Sequence, residues 1–203
     1  MDQFRIHGGK ALRGGVEAAG SKNATLPILA ASLLADSPCR LTRVPNLRDT
    51  ETFLTLLGEF GLSVERPVPR EVIIDTSGAR TGVAPYDLVR TMRASVMVLG
   101  PLVTRFGEAQ VSLPGGCAIG ARPIDQHLKG LEAMGAEISL EEGYIDVKAK
   151  RLKGARISFD MVTVTGTKNL MMAAALAKGV TVLENAALEP EVSYLAGLIN
   201  QRG

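Results

Sequence analysis

The stretch GTKNLMMAAALAKGVTVLENAALEP, residues 166–190, repeats the layout of GSKNATLPILAASLLADSPCRLTRVP, residues 20–45. Each begins with G-[ST]-K-N, continues as an apolar run of helical character, and turns into a short strand-like run. The same order, without the K-N pair, starts at TMRASVMVLGPLVTRFGEAQVSL, residues 91–113. A layout that recurs in this way is typical of repeated structural units. The sequence therefore predicts three copies of one unit.

Each unit is completed by an amphipathic helix and, in the first two copies, by strands. In PIDQHLKGLEAMG, residues 123–135, apolar side chains recur at helical spacing, and the final glycine is typical of a helix C-terminus. AEISLEE and YIDVKAK alternate on either side of a turn and predict a hairpin. We therefore predict an α/β fold of βαββαβ-like units at about residues 21–83, 84–153 and 154–203, with the third unit truncated.

Composition narrows the functional class. The chain has 203 residues, 46% of them hydrophobic, and a net charge of only +2, which disfavours a generic nucleic-acid-binding protein. The N-terminus has no apolar leader, and the longest apolar runs are too short for a bilayer, so a cytoplasmic protein without membrane contact is expected. Cys39 and Cys117 lack metal-ligand spacing, and only His7 and His127 could assist them. We expect no metal and no cofactor.

The two cysteines differ in their neighbours. Cys117 lies in LPGGCAIGARPID, residues 113–125, where glycines and the nearby Arg122 would suit an exposed, activated thiol. From these residues alone, a buried small hydrophobic side chain is the more ordinary interpretation, and both stay open. Cys39, in the strand-like SPCRLTRV, fits that second reading well. The glycine spacing of GGCAIG is not the dinucleotide-binding G-x-G-x-x-G.

Four segments together carry a specific resemblance: GSKNATLPILAA at 20–31, APYDLVRTMRAS at 84–95, LPGGCAIGARPID at 113–125 and TVTGTKNLMMAAALA at 163–177. They closely resemble the UDP-N-acetylglucosamine 1-carboxyvinyltransferases, a family of enolpyruvyl transferases. The resemblance implies transfer of the enolpyruvyl group of phosphoenolpyruvate to the 3-hydroxyl of UDP-N-acetylglucosamine, with release of phosphate. This is the first committed step of bacterial peptidoglycan synthesis.

The resemblance also implies a domain organisation. Family members have two domains, each an inside-out α/β barrel of three units, and are much longer than this chain, which resembles their N-terminal half. Residues 1–20 would then be two short strands of a second domain largely absent here. Residues 21–203 would be an incomplete enolpyruvyl transferase domain. The missing C-terminal half is the expected partner.

Site residues follow from the same resemblance. Cys117 matches the catalytic proton donor and fosfomycin target, and Lys22 with Asn23 matches the catalytic pair that binds phosphoenolpyruvate. Lys168 and Asn169 share the local pattern of this pair, so a K-N pair can also serve the scaffold, and only the first pair matches the catalytic motif. His127 is expected to be structural. The residues expected to contact UDP-N-acetylglucosamine and phosphate are Arg93, Arg122, Pro123, Ile124, Asp125, Gln126, Thr163 and Val164.

Two classes of function stay open. The chain is either the carboxyvinyltransferase, or a catalytically incompetent fragment or binding module of it. The isolated chain is expected to be inactive, because the family's base and further arginines lie in the other half. The sister enzyme that acts on shikimate 3-phosphate lacks the cysteine-containing loop, which argues against it. Gln126, Met97 and Met161 depart from common family residues.

Overall fold

The computed structural model describes residues 3–9, 11–113 and 124–201. The first unit contains two helices and a three-stranded antiparallel sheet, in the strand order β1-β3-β2. Its elements are α1 Lys22–Ala31, β1 Cys39–Thr42, α2 Arg48–Glu59, β2 Ser63–Glu65 and β3 Glu71–Asp75. The prediction gave one strand after α2, whereas the structure has two, because the chain turns back after β2 and pairs both β1 and β2 with β3.

The second unit repeats this arrangement with one additional strand at its edge. Its elements are β4 Val83–Ala84, α3 Tyr86–Val89, α4 Leu99–Phe106, β5 Glu108–Ser112, α5 Asp125–Ala133, β6 Glu137–Glu141 and β7 Tyr144–Lys148. The strand order is β4-β5-β7-β6, with β4 parallel to β5 and the other pairs antiparallel. The order β5-β7-β6 matches β1-β3-β2 of the first unit. The predicted hairpin is confirmed as β6 and β7.

The predicted helix from Thr91 begins differently. Residues Arg93–Val98 form a 3₁₀ helix, and the α-helix α4 starts only at Leu99. Pro101 lies in the first turn of α4, where its missing N–H is tolerated because the first amides of a helix have no partner within it. A regular α-helix through this position would instead require an amide that proline lacks.

The third unit contains β8 Arg156–Ser158, α6 Val164–Ala175, β9 Val182–Glu184 and α7 Pro190–Gln201. β8 pairs in parallel with β9, as β4 pairs with β5. Helix α6 contacts α4, α5 and α7, and α1 contacts α2 and α7, so the helices of the three units share one core. Leu29, Phe53 and Leu170 are fully buried in it. Cys39 is also buried there, which confirms its reading as a small hydrophobic side chain.

The N-terminal segment is different from the rest of the described chain. The structure assigns no strand to residues 3–9 and 11–20, because no neighbouring strand among the described residues pairs with them. Four large apolar side chains in this segment, Phe4, Ile6, Leu12 and Val16, are 87–98% exposed. The two predicted strands are thus not formed in this chain, and their place in a second domain stays a prediction. Among the described residues, no helix has the length and apolar character to cross a membrane.

Candidate functional site

The start of α1 presents the predicted phosphoenolpyruvate pair. Ser21 caps the helix, because its hydroxyl oxygen accepts a hydrogen bond from the Ala24 N–H at 3.3 Å. Lys22 and Asn23 follow on the exposed first turn. That turn contains no acidic residue, so the positive end of the helix dipole is not neutralised locally. Lys22 donates to the Asp49 carboxylate on α2 at 3.0 Å, which orients its half-exposed ammonium group.

The start of α5 is tied to the loop before α6 through Gln126. The Gln126 amide donates to the Asp160 carboxylate at 3.0 Å and accepts from the Asp160 N–H at 3.0 Å. Lys129 also binds this carboxylate at 2.6 Å. The hydrogen bonds from Lys129 and Gln126 hold the pKa of Asp160 below its usual range. The Gln126 side chain is buried, so it is occupied by the protein itself.

A second, fully buried connection joins α4, α5 and α6. The Gly100 N–H donates to Asn169 Oδ1 at 2.8 Å, which directs the Asn169 amide nitrogen toward His127 Nδ1 at 3.1 Å. His127 Nε2 lies 3.3 Å from the Thr165 hydroxyl. Because Nδ1 faces a donor, it accepts, and Nε2 carries the proton. Burial lowers the pKa of His127 to about 4, although the Asp125 charge partly opposes this. His127 and Asn169 are thus scaffold residues, as was predicted for His127.

Close packing at Gly100 makes this connection possible. A Cβ atom at this position would lie 2.3 Å from the Asn169 carbonyl oxygen and 2.7 Å from its Oδ1. Real Cβ atoms do not approach oxygen so closely, so only glycine brings the backbone of α4 within hydrogen-bond reach of Asn169. The residue fixes the separation of α4 and α6, and it therefore positions the first turn of α6.

The remaining predicted residues fall into two groups. Thr163 caps α6 by accepting from the Gly166 N–H at 3.2 Å, and Val164 is the first residue of that helix. Arg93 opens the 3₁₀ helix that packs against α1 and α6. Ile124 directly precedes α5, which begins at Asp125. Cys117, Arg122 and Pro123 lie outside the described residues.

The structure therefore brings the starts of α5 and α6 together and connects α6 to the start of α1. The first turn of α5 contacts the loop before α6 through Gln126, and His127 contacts Thr165 in the first turn of α6. Lys168 of α6 reaches the first turn of α1, where it donates to the Asn23 carbonyl at 3.2 Å. Helix N-termini favour the binding of anions, because the free backbone N–H groups and the positive end of the helix dipole face a ligand there. This arrangement suits a ligand with several negative groups.

Sequence reasoning missed two of these contacts. The Gln126–Asp160 pair and the Lys168–Asn23 bond join residues that lie 34 and 145 positions apart, so no local pattern indicates them. The sequence does contain one signal for the Lys168–Asn23 bond: Pro27 lies inside α1 and leaves the Asn23 carbonyl without its usual donor. No group of three or more acidic, histidine or cysteine side chains could hold a metal within the described ranges.

Comparison with known proteins identifies the family. Residues 6–203 match the family described as EPSP synthase (3-phosphoshikimate 1-carboxyvinyltransferase). All 203 residues align at 57% identity with a UDP-N-acetylglucosamine 1-carboxyvinyltransferase of Dichelobacter nodosus, of which they cover 48%. The chain thus spans about half the length of this curated relative.

Solved structures agree with this match. The crystal structure of the enolpyruvyl transferase NikO from Streptomyces tendae superposes with a TM-score of 0.81 at 25% identity, covering 96% of this chain and 46% of NikO. EPSP synthase from Acinetobacter baumannii gives 0.73 at 21% identity, covering 92% and 43%, and at that identity the likeness concerns the fold. Since the family match extends over nearly the whole chain, the chain belongs to the EPSP synthase family, whose structures include enolpyruvyl transferases.

Proposed function

We propose that this chain is the N-terminal part of a UDP-N-acetylglucosamine 1-carboxyvinyltransferase that acts in cytoplasmic peptidoglycan synthesis. The observation that carries the proposal is the 57% identity over the full chain to a protein of that name. The exposed start of α1 and the adjacent starts of α5 and α6 support it, because both substrates are anions. UDP-N-acetylglucosamine carries a diphosphate, and phosphoenolpyruvate carries a phosphate and a carboxylate.

In this proposal the start of α1 binds phosphoenolpyruvate. The Lys22 ammonium supplies a point charge for the phosphate, and the Asn23 amide orients the intermediate through hydrogen bonds. Asp49 is within 3.0 Å of Lys22, so it holds the ammonium in place until the more highly charged phosphate competes for it. The forked guanidinium groups of Arg93 and Arg122 suit the paired oxygens of phosphate and carboxylate.

UDP-N-acetylglucosamine is assigned to the starts of α5 and α6, where the proposed contacts are Pro123, Ile124, Asp125, Gln126, Thr163 and Val164. The buried Gln126 amide is already bonded to Asp160. Gln126 therefore contributes its backbone rather than its side chain to this site. An apolar residue at this position could serve the nucleotide equally well, which explains why Gln126 can depart from the family pattern.

The proposed chemistry is an addition followed by an elimination. The 3-hydroxyl oxygen bonds to carbon 2 of phosphoenolpyruvate and gives its proton to a base, while carbon 3 receives a proton from the Cys117 thiol. The carbon–oxygen bond to phosphate then breaks, and carbon 3 loses a proton to restore the double bond. No described residue is assigned as the base, which the family resemblance places in the other half. The sulfur of Cys117 would also be the atom that fosfomycin alkylates.

The finer architecture is part of the same proposal. The three units would form an inside-out α/β barrel with the helices inside, the third unit being incomplete, and residues 1–20 would complete a second domain. The nearly full exposure of Phe4, Ile6, Leu12 and Val16 supports that second role, since such apolar surface is normally covered. Arg70 fixes the end of this segment through Glu17 at 3.4 Å and the Ala18 carbonyl at 3.1 Å.

The decisive experiment measures phosphate release. The chain is mixed with the separately produced C-terminal half of the Dichelobacter nodosus relative, and phosphoenolpyruvate is supplied with either UDP-N-acetylglucosamine or shikimate 3-phosphate. We expect release with the sugar nucleotide only, and none from the chain alone. Release with shikimate 3-phosphate only would contradict the proposal. Fosfomycin should label Cys117 in the mixture, with Cys39 as internal control because it is buried.

A second candidate function is a catalytically incompetent fragment or sugar-nucleotide-binding module. The coverage of 48% of the relative favours it for the chain taken alone. It predicts binding of UDP-N-acetylglucosamine by calorimetry without any turnover, also when the C-terminal half is present. Turnover in the mixture would exclude it.

A further inference from the structure

Helix α1 carries a proline at a position that changes its first turn. Pro27 has no N–H, so it cannot donate to the carbonyl of Asn23, four residues earlier in α1. That carbonyl accepts a hydrogen bond from the Lys168 ammonium of α6 at 3.2 Å instead. Pro27 and Lys168 are therefore coupled through one acceptor: the first removes its usual donor, and the second supplies another.

Lys168 is an unusual lysine. Its side chain is only 3% exposed, and its second partner is the Glu191 carboxylate in the first turn of α7 at 3.4 Å. Burial lowers the pKa of Lys168, and the charges of Glu191 and Glu189 oppose this shift. A buried ammonium must be paired and hydrogen-bonded, so its position is strongly fixed. One charged atom thus joins α1, α6 and α7.

We propose that Lys168 is a positioning residue for the phosphoenolpyruvate site, holding the backbone of Asn23 so that the Asn23 side chain and Lys22 face the substrate. The inference rests on the proposed function, because it takes Asn23 as a phosphoenolpyruvate ligand. Lys168 itself is buried beneath this turn, and it does not need to contact the substrate. The K-N pair of the third unit would then support the K-N pair of the first.

The test combines Lys168→Met with Pro27→Ala. Methionine keeps most of the length of the side chain but removes the charge and the donor, so the Asn23 carbonyl loses its partner. Alanine at 27 restores a backbone N–H that can donate to the same carbonyl. Phosphoenolpyruvate is titrated to millimolar concentration into each labelled chain mixed with the unlabelled C-terminal half used above, and its dissociation constant is read from the backbone amide signals of Lys22 and Asn23. Lys150→Met, on the exposed surface, controls for net charge.

We expect Lys168→Met to weaken phosphoenolpyruvate binding about tenfold, the size of one lost hydrogen bond to a charged group. Adding Pro27→Ala should recover most of this loss, and Lys150→Met should bind as the wild type does. Recovery matters, because general damage to the fold would not be repaired by one backbone donor. Exchange of the Thr25 N–H, which donates to the Ser21 carbonyl at 2.9 Å, should follow the same order.

The outcomes separate the two proposals. If the wild type binds phosphoenolpyruvate and Lys168→Met binds it equally tightly, the site stands and the positioning role is overturned. The role is also overturned if Lys168→Met weakens binding and Pro27→Ala does not restore it. If the wild-type signals of Lys22 and Asn23 do not respond to phosphoenolpyruvate at all, the proposed site is refuted, and the role of Lys168 falls with it.

Discussion

Acidification should destabilise this chain through one buried side chain, His127. In the folded state its ring accepts a hydrogen bond from Asn169 and lies against the Thr165 hydroxyl, and the residue is only 2% exposed. A proton added at Nδ1 would set a donor against the donor of Asn169. The Asn169 amide cannot simply turn over, because its oxygen accepts from the Gly100 N–H. The folded state therefore resists protonation of this ring.

The size of the effect follows from the two pKa values. The pKa of His127 is about 4 in the folded chain and 6.5 when the ring is solvated, as it is after unfolding. The folded pKa is the lower one, so the stabilisation is fully present above 6.5 and is lost as the pH falls toward 4. At a pH of about 5 the loss amounts to about 2 kcal/mol, since one pKa unit corresponds to about 1.4 kcal/mol.

The assay is urea unfolding followed by circular dichroism, at several pH values from about 7.5 to about 5. His127→Gln removes the titrating ring and should be less stable at neutral pH. Its free energy of unfolding should then fall less on acidification than that of the wild type, by about 2 kcal/mol. His7→Gln is the matched control, because His7 is exposed.

Two results would refute the reasoning. The first is a stability difference between the wild type and His127→Gln that stays constant across this pH range. The second comes from the wild type alone: a midpoint near 6.5 in an NMR titration of the His127 ring signals while the chain is folded. We expect no such midpoint. A midpoint there would mean that the buried connection does not hold the ring neutral.

Three further substitutions test the packing around the site by urea unfolding. Gly100→Ala places a Cβ atom 2.3 Å from the Asn169 carbonyl oxygen and should cost about 1–3 kcal/mol, whereas unchanged stability would mean that α4 and α6 separate freely. Gln126→Leu keeps the volume but leaves the Asp160 N–H without its partner, for an expected loss of about 1–2 kcal/mol. Arg105→Met removes hydrogen bonds of 2.6 and 2.7 Å to two carbonyls after α1, with a similar expected loss; a wild-type midpoint would contradict their importance.

Local patterns predicted the elements that depend on local interactions. The periodicity of residues 124–135 gives α5, and the left-handed conformation of Gly135 ends it as expected. The first G-[ST]-K-N correctly marks the start of α1 at Lys22, whereas α6 begins at Val164, two residues before the second copy of the motif. Strands β4 and β8 were not predicted, because two or three residues are too few to show an alternating pattern.

The contacts that connect these elements could not be predicted in the same way. The two K-N pairs, Lys22 with Asn23 and Lys168 with Asn169, look alike in sequence. The first pair is nevertheless exposed, and the second is buried. Burial depends on which helices surround each pair, and this is decided by the packing of all three units. The roles at the substrate site stay predictions of the resemblance, including that of Cys117.

The bond between Lys168 and Asn23 has a consequence for how the three units can evolve. Two copies of one short motif are here in direct contact, and Lys168 of the second copy supplies the donor that Pro27 withholds from Asn23 of the first. A third unit without a lysine at position 168 would leave the Asn23 carbonyl unpaired, and a first unit without Pro27 would not need that lysine. Exchange of one unit between such proteins should therefore preserve this contact only when the residues at positions 27 and 168 match, although each unit resembles an independent module.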